Sequence, residues 1–243
     1  MINIFVDETS DKKQKDYFGL CCTAINHSFY PQIKRECQQI LRDGGWDFDV
    51  EFKGSYLFSA TKGSIEVDID KRIELAEKIL ELTTAPKNTR MKLSYFRMSS
   101  TNHKNDYLEN LPYLVRDILG KYHFSRKQGK NMVSISCDCR SDISIKELRE
   151  AILPAVIDKK YELFEDIIQV RSNCETIGVL FSDIIGYLMS RIETITNDLE
   201  LFENLTPDMI ENNGKLRKLK SSWQLITKIR KMTIYGLKEQ ESG

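Results

Sequence analysis

The chain has 243 residues, 41% of them hydrophobic, and its 36 lysine and arginine residues are balanced by 36 aspartate and glutamate residues for a formal net charge of +0. That length and apolar content suit one large domain, or a core domain with an appendage, and exclude a disordered chain. Balanced charge excludes global steering toward nucleic acid or an anionic membrane, so any such binding must come from local clusters.

A strand is predicted over 2–6, and it runs straight into Asp7 and Glu8. A second strand over 17–25, "YFGLCCTAI", follows a charged hairpin loop at 11–16. Pro31 opens a helix to about Arg42, which Gly44 and Gly45 end. After the segment 47–62, a helix capped near Asp70 extends to about Thr84, ahead of Pro86. A third strand over 91–98 precedes a helix over 107–122, with Pro112 expected in its first turn. The fourth strand, 132–137, also ends on an acid, Asp138. Ser144 caps a helix to about Ile157, a short fifth strand covers 167–170, and a long helix is expected over 176–202.

The alternation of strands and helices predicts an α/β fold. Two units are expected: a domain over 1–205 and an extension over 206–243. In that extension Lys215, Arg217, Lys218, Lys220, Lys228, Arg230 and Lys231 are unbroken by any acid between Lys215 and Lys231. Leu216, Leu219, Trp223, Ile226 and Ile229 recur at spacings of three and four, the pattern of an amphipathic basic helix. Such a helix packs on its own domain or a partner protein, or lies along a nucleic-acid backbone with Lys215, Arg217, Lys218 and Lys220 neutralising phosphates.

The start of the chain shows no secretory signal pattern, and the most apolar helical stretch, 177–192, is interrupted by Ser182, Asp183 and Arg191, too short and polar for a bilayer. A cytoplasmic protein with no membrane span is expected. The six cysteines form no C-x-x-C pair and are read as reduced thiols, mostly buried. His27, His103 and His123 lack metal-ligand spacing.

Four acids stand out by position. Asp7 and Asp138 end strands, and in α/β sheets ligands bind at the carboxyl ends of strands. Glu51 and Lys53 sit two apart in "VEFKGS", residues 50–55. Asp183 is the one charge in "IGVLFSDIIGYLMS". There Gly178, Ser182, Gly186 and Ser190 make a ridge of small side chains, and Asp183 lies beside it, toward the packed side. A buried carboxylate is costly unless paired or bound to metal. Each acid alone reads as readily as a turn residue, a helix cap or a surface ion pair; convergence would change that. Two carboxylates about 4 Å apart repel by roughly 4 kcal/mol at an effective dielectric near 20, a conflict that a divalent cation relieves. Mg²⁺ and Mn²⁺ prefer such oxygens, and two such ions can clamp a phosphodiester during in-line displacement. Lys53 and Arg140, each two residues past an acid, are candidates for gripping phosphate oxygens or for balancing the acids' charge.

The segments "IFVDETS", "EFKGS", "VSISCDCRSD" and "GVLFSD" resemble the bacterial family called domain of unknown function 3800 over about residues 2 to 192. The family opens on Asp-Glu-Ser-Gly where this chain has Asp7-Glu8-Thr9-Ser10, and Leu180 stands where its late helix carries glutamine. The resemblance implies an RNase-H-like mixed sheet flanked by helices. It also implies a metal-dependent nuclease-type site with Asp7, Glu51, Asp138 and Asp183 at the motif positions and Glu8 as the second acid of the opening motif. The function expected is divalent-metal-dependent hydrolysis of nucleic-acid phosphodiester bonds with Mg²⁺ or Mn²⁺, in a bacterial defence setting. The rival is a non-catalytic component on the same scaffold that binds nucleic acid or protein. Hydrolysis of a small phosphoester is weaker, since no glycine loop for phosphate is visible.

Overall fold

Residues Ile2 to Asp7 are buried without a break, the mark of a strand covered on both faces. The computed structural model describes residues 1–10, 17–57, 69–82, 91–122 and 131–190, with Asp208 and Asn212, and sets this strand, β1 (Ile2–Ser10), inside a six-stranded sheet. β1 pairs antiparallel with β2 (Tyr17–Asn26), and β2 antiparallel with β3 (Met91–Ser99). On its other side β1 runs parallel to β4 (Asn131–Asp138). Two short strands, β5 (Tyr161–Leu163) and β6 (Ile168–Val170), follow one another along the far side of β4, both parallel to it. The order is β3-β2-β1-β4-β5, with β6 also on β4.

Side chains alternate across a sheet, and the two faces build separate cores. Phe5, Cys21, Ile25 and Leu93 pack with α1 (Tyr30–Asp43), α2 (Gly54–Leu57), α3 (Ile69–Glu81) and α6 (Ile177–Ser190). Ile2, Ile4, Val6, Leu20 and Cys22 pack with α4 (His103–Gly120) and α5 (Ile145–Asp158). This is the mixed α/β sheet flanked by helices that the alternation of strands and helices predicts.

Local chemistry explains most element ends. Pro31 lies in the first turn of α1, whose end is followed by Gly45 in the left-handed region at φ 71°. Ser144 and Glu147 form a reciprocal capping box at the start of α5. Several assignments differ from expectation: α2 falls in a segment where no helix was expected, and α3 begins at Ile69, with Asp70 inside it and not capping it. Asn102 caps α4 a turn earlier than the apolar periodicity suggests, so Pro112 lies inside the helix and not in its first turn. β5 was not anticipated, because three residues are too few to show a period. β1 does not stop at Val6: it continues to Ser10 because β2 goes on pairing with it, and only its ladder with β4 ends there, at Val6 and Cys137. The hairpin loop 11–16, the end of the 176–202 helix and the basic segment 215–231 lie outside the described residues. Among the described residues no helix is long and apolar enough to cross a membrane. Cys21, Cys22, Cys37, Cys137 and Cys174 are buried free thiols and Cys139 is exposed.

The small-residue ridge of α6 faces the sheet. Ser182 Oγ donates to the Phe5 carbonyl at 3.1 Å and lies 2.8 Å from Thr23 Oγ1. A Cβ on Gly178 would come within 2.3 Å of the Phe5 ring, which is itself stacked on Tyr30. Gly178→Ala is therefore expected to destabilise the fold by about 1–3 kcal/mol through overpacking. An unchanged denaturant midpoint would contradict that close approach.

Candidate acidic site where the ladder of β1 and β4 ends

Register brings the first two acids together. Val6 and Cys137 are partners across the parallel pair, and both belong to the α4 and α5 core. The next residue on each strand, Asp7 and Asp138, therefore turns to the opposite face, where α6 packs. Asp7 is 5% exposed. Asp183 comes from α6 on that same face, and the Gly54 N–H lies near enough to its carboxylate to favour the charged form. Its Oδ2 is buried with no hydrogen-bond partner among the described residues.

The "EFKGS" segment is fixed by backbone contacts. Phe52 N–H donates to the Ser172 carbonyl at 3.1 Å, and Ser172 N–H in turn donates to Asp138 Oδ1 at 3.3 Å. Gly54 lies against the α6 backbone: a Cβ there would stand 2.8 Å from the Asp183 carbonyl oxygen and 2.9 Å from Ile184 Cα. No backbone neighbour can yield as a side-chain tip could, which is why glycine follows Lys53. Gly54→Ala should push the segment off α6 and cost about 1–3 kcal/mol. It should also move the Gly54 N–H away from Asp183, so a melting temperature equal to wild type would be the contrary result.

Lys53 is thereby aimed into the acids. Its Nζ lies 3.1 Å from Glu51 Oε1 and 3.8 Å from Asp138 Oδ2, with side-chain exposures of 33%, 49% and 14% for Lys53, Glu51 and Asp138. Burial works against the Lys53 charge, but Asp138, Asp183, Glu51 and Asp7 together push its pKa up. For Asp7, burial first and then the charges of Asp183, Glu8 and Asp138 raise the carboxyl well above its ordinary range, and Lys53 only partly opposes them. Burial lifts Asp183 to about 7 against the pull of Lys53 and the Gly54 N–H. Negative charge is undercompensated here.

Two expected residues stand apart. Glu8, one step on from Asp7, faces the α4 side; its carboxylate is 3.3 Å from Arg140 Nη1, and its Oε2 is buried without a hydrogen-bond partner among the described residues. Arg140 does not join Lys53 beside the acids: it forks onto Asp142 at 3.0 and 2.7 Å and stacks over Tyr107 at 5.1 Å. Alternation along a strand separates neighbours that the sequence presents as a pair. The structure thus gathers Asp7, Asp138 and Asp183 with Lys53 between them and the more exposed Glu51, and leaves Glu8 and Arg140 across the sheet. Ser172 was not singled out from the sequence. Its contribution is made by its backbone, so no side-chain pattern could have signalled it.

The donors are all hard oxygens, the set that suits Mg²⁺ or Mn²⁺, and the orphaned Asp183 Oδ2 and the raised carboxyls fit such an ion. As the side chains stand, no three acidic, histidine or cysteine residues among those described are close enough to grip one. The positive charge among them is the Lys53 ammonium.

No family model matches the chain, and no curated protein does. Among solved structures it is similar to a chain of the PCNA:RNase HII complex from Archaeoglobus fulgidus, at 12% identity and TM-score 0.43, over 93% of this chain and 90% of that one. It is also similar to ribonuclease H2 from Pyrococcus horikoshii OT3, at 12% identity and TM-score 0.36, over 92% and 99%.

Proposed function

We propose that this chain is a divalent-cation-dependent nuclease of the domain of unknown function 3800 family, hydrolysing phosphodiester bonds in nucleic acid. The observation that carries the reading is the meeting of Asp7 and Asp138, in register on parallel strands, with Asp183 of α6 on one face of the sheet. Asp7, Asp138 and Asp183 would hold Mg²⁺ or Mn²⁺, with Glu51 at the open side. When bound, such an ion supplies Lewis acidity and an activated water for in-line displacement. Asp7 and Asp183 hold their oxygens in a largely dry setting, where charge interactions are strong. Lys53 presents its ammonium to a phosphate oxygen, and Arg140, held by Glu8 and Asp142, braces the turn that follows Asp138. The basic segment 215–231 supplies sequence-independent contacts to the nucleic-acid backbone.

Cleavage of single- and double-stranded DNA and RNA should be assayed with Mn²⁺, with Mg²⁺ and with chelator, using Asp7→Asn as the control. Divalent-dependent cleavage that Asp7→Asn lacks supports the reading. One observation favours a non-catalytic binding component: Lys53 already offsets part of the acids' charge. Salt-sensitive nucleic-acid binding that persists in chelator, with no cleavage of any substrate, would decide for that component.

A further inference from the structure

Lys53 reaches Glu51 and Asp138 on one side chain, while the residue after it delivers a backbone N–H to Asp183. A single short segment thus compensates three acids that come from three different parts of the chain. Its backbone has little freedom: Phe52 is bonded to Ser172, the Lys53 carbonyl accepts from Tyr56 N–H at 2.8 Å, and Arg72 Nη1 donates to the Tyr56 carbonyl at 2.9 Å. Gly54 is pressed against α6. Any rearrangement of charge at the site must therefore be taken up by the four-carbon stem of Lys53 and not by the segment itself.

We propose that the Lys53 ammonium is a built-in counter-cation that competes with the divalent ion. Ion binding to Asp7, Asp138 and Asp183 swings Lys53 outward, to where a substrate phosphate takes over as its partner. The inference rests on the reading above and adds a regulation of the same site: the acids are held ready by an internal cation, and loading with the ion frees Lys53 for substrate. An ammonium and a divalent ion cannot both lie among these acids without repelling one another, so the occupant already there weakens the entrant. No bond is made or broken; Lys53 exchanges one set of carboxylate partners for a phosphate.

The test uses the full chain and Mn²⁺ alone, with no substrate. Mn²⁺ affinity is measured by calorimetry or by the loss of the free-ion electron paramagnetic resonance signal for wild type, Lys53→Met, Lys53→Arg and Asp183→Asn. Lys53→Met is expected to bind Mn²⁺ about tenfold more tightly than wild type, because one like charge has left the site. Lys53→Arg, which keeps the charge, should stay near wild type, and Asp183→Asn should lose binding. Without ion, Lys53→Met should melt below wild type, and saturating Mn²⁺ should close the gap, which keeps the test readable if that variant is fragile. Equal or weaker Mn²⁺ binding by Lys53→Met, with wild type still binding through Asp183, overturns the competition and leaves the metal site standing. Absence of Mn²⁺ binding by wild type and Lys53→Met alike overturns both.

Discussion

Asp7→Asn is expected to reduce divalent-dependent cleavage by about 10³-fold or more, equivalent to about 4 kcal/mol of transition-state stabilisation, while the protein stays folded. Asp7 is 5% exposed, and its acidic neighbours Asp183, Glu8 and Asp138 all oppose its charge. Asparagine keeps the shape and one carbonyl oxygen but removes the anion a cation would need. Because the lost charge was repelled by those acids, the variant should melt at or above the wild-type temperature in chelator, which separates a chemical effect from unfolding. Cleavage at the wild-type rate by a folded Asp7→Asn protein would sink the assignment.

The second large effect is on stability against pH in metal-free buffer. Asp183 titrates at about 7 in the folded chain, against about 4 for an unfolded aspartate. Between those values the folded state binds more protons than the unfolded one, so stability falls as pH rises. The contribution is fully present below about pH 4, declines through the interval and is gone above about 7. A shift of this size corresponds to about 2–4 kcal/mol. Asp7, raised in the same direction by burial and by the charges of Asp183, Glu8 and Asp138, adds to the slope. Asp183→Asn should therefore flatten the profile. It should melt above wild type at pH 8 and converge with it below about pH 3, where Asp183 is neutral in both states. Saturating Mn²⁺ should stabilise wild type at pH 8 and leave Asp183→Asn unmoved. Parallel profiles for the two proteins would show that Asp183 carries no such strain.

Much of the acidic site was legible because chemistry leaves marks at fixed offsets. Asp138 follows the apolar run 132–137, and Asp183 interrupts an otherwise uncharged helix. The ridge of Gly178, Ser182 and Gly186 signalled close packing on a period of four, and it meets β1 and β2. What misled was adjacency: Asp7 with Glu8, and Asp138 with Arg140, look like pairs in the sequence, whereas strand alternation and the fork onto Asp142 send Glu8 and Arg140 to the other side. β5 was missed because a three-residue strand is made by its neighbour β4 and not by its own pattern.

By itself the sequence determined the local states and the candidate acids, since periodicity, caps and turn residues act over a few positions and are written in order. Only the tertiary structure decided that the register of β1 with β4 ends at Val6 and Cys137, that Gly54 lies against the backbone of α6, and that Lys53 points among the acids. The physical reason is that those facts belong to pairs of segments far apart in the chain. A one-residue slip of β4 would turn Asp138 to the opposite face without altering a single local signal.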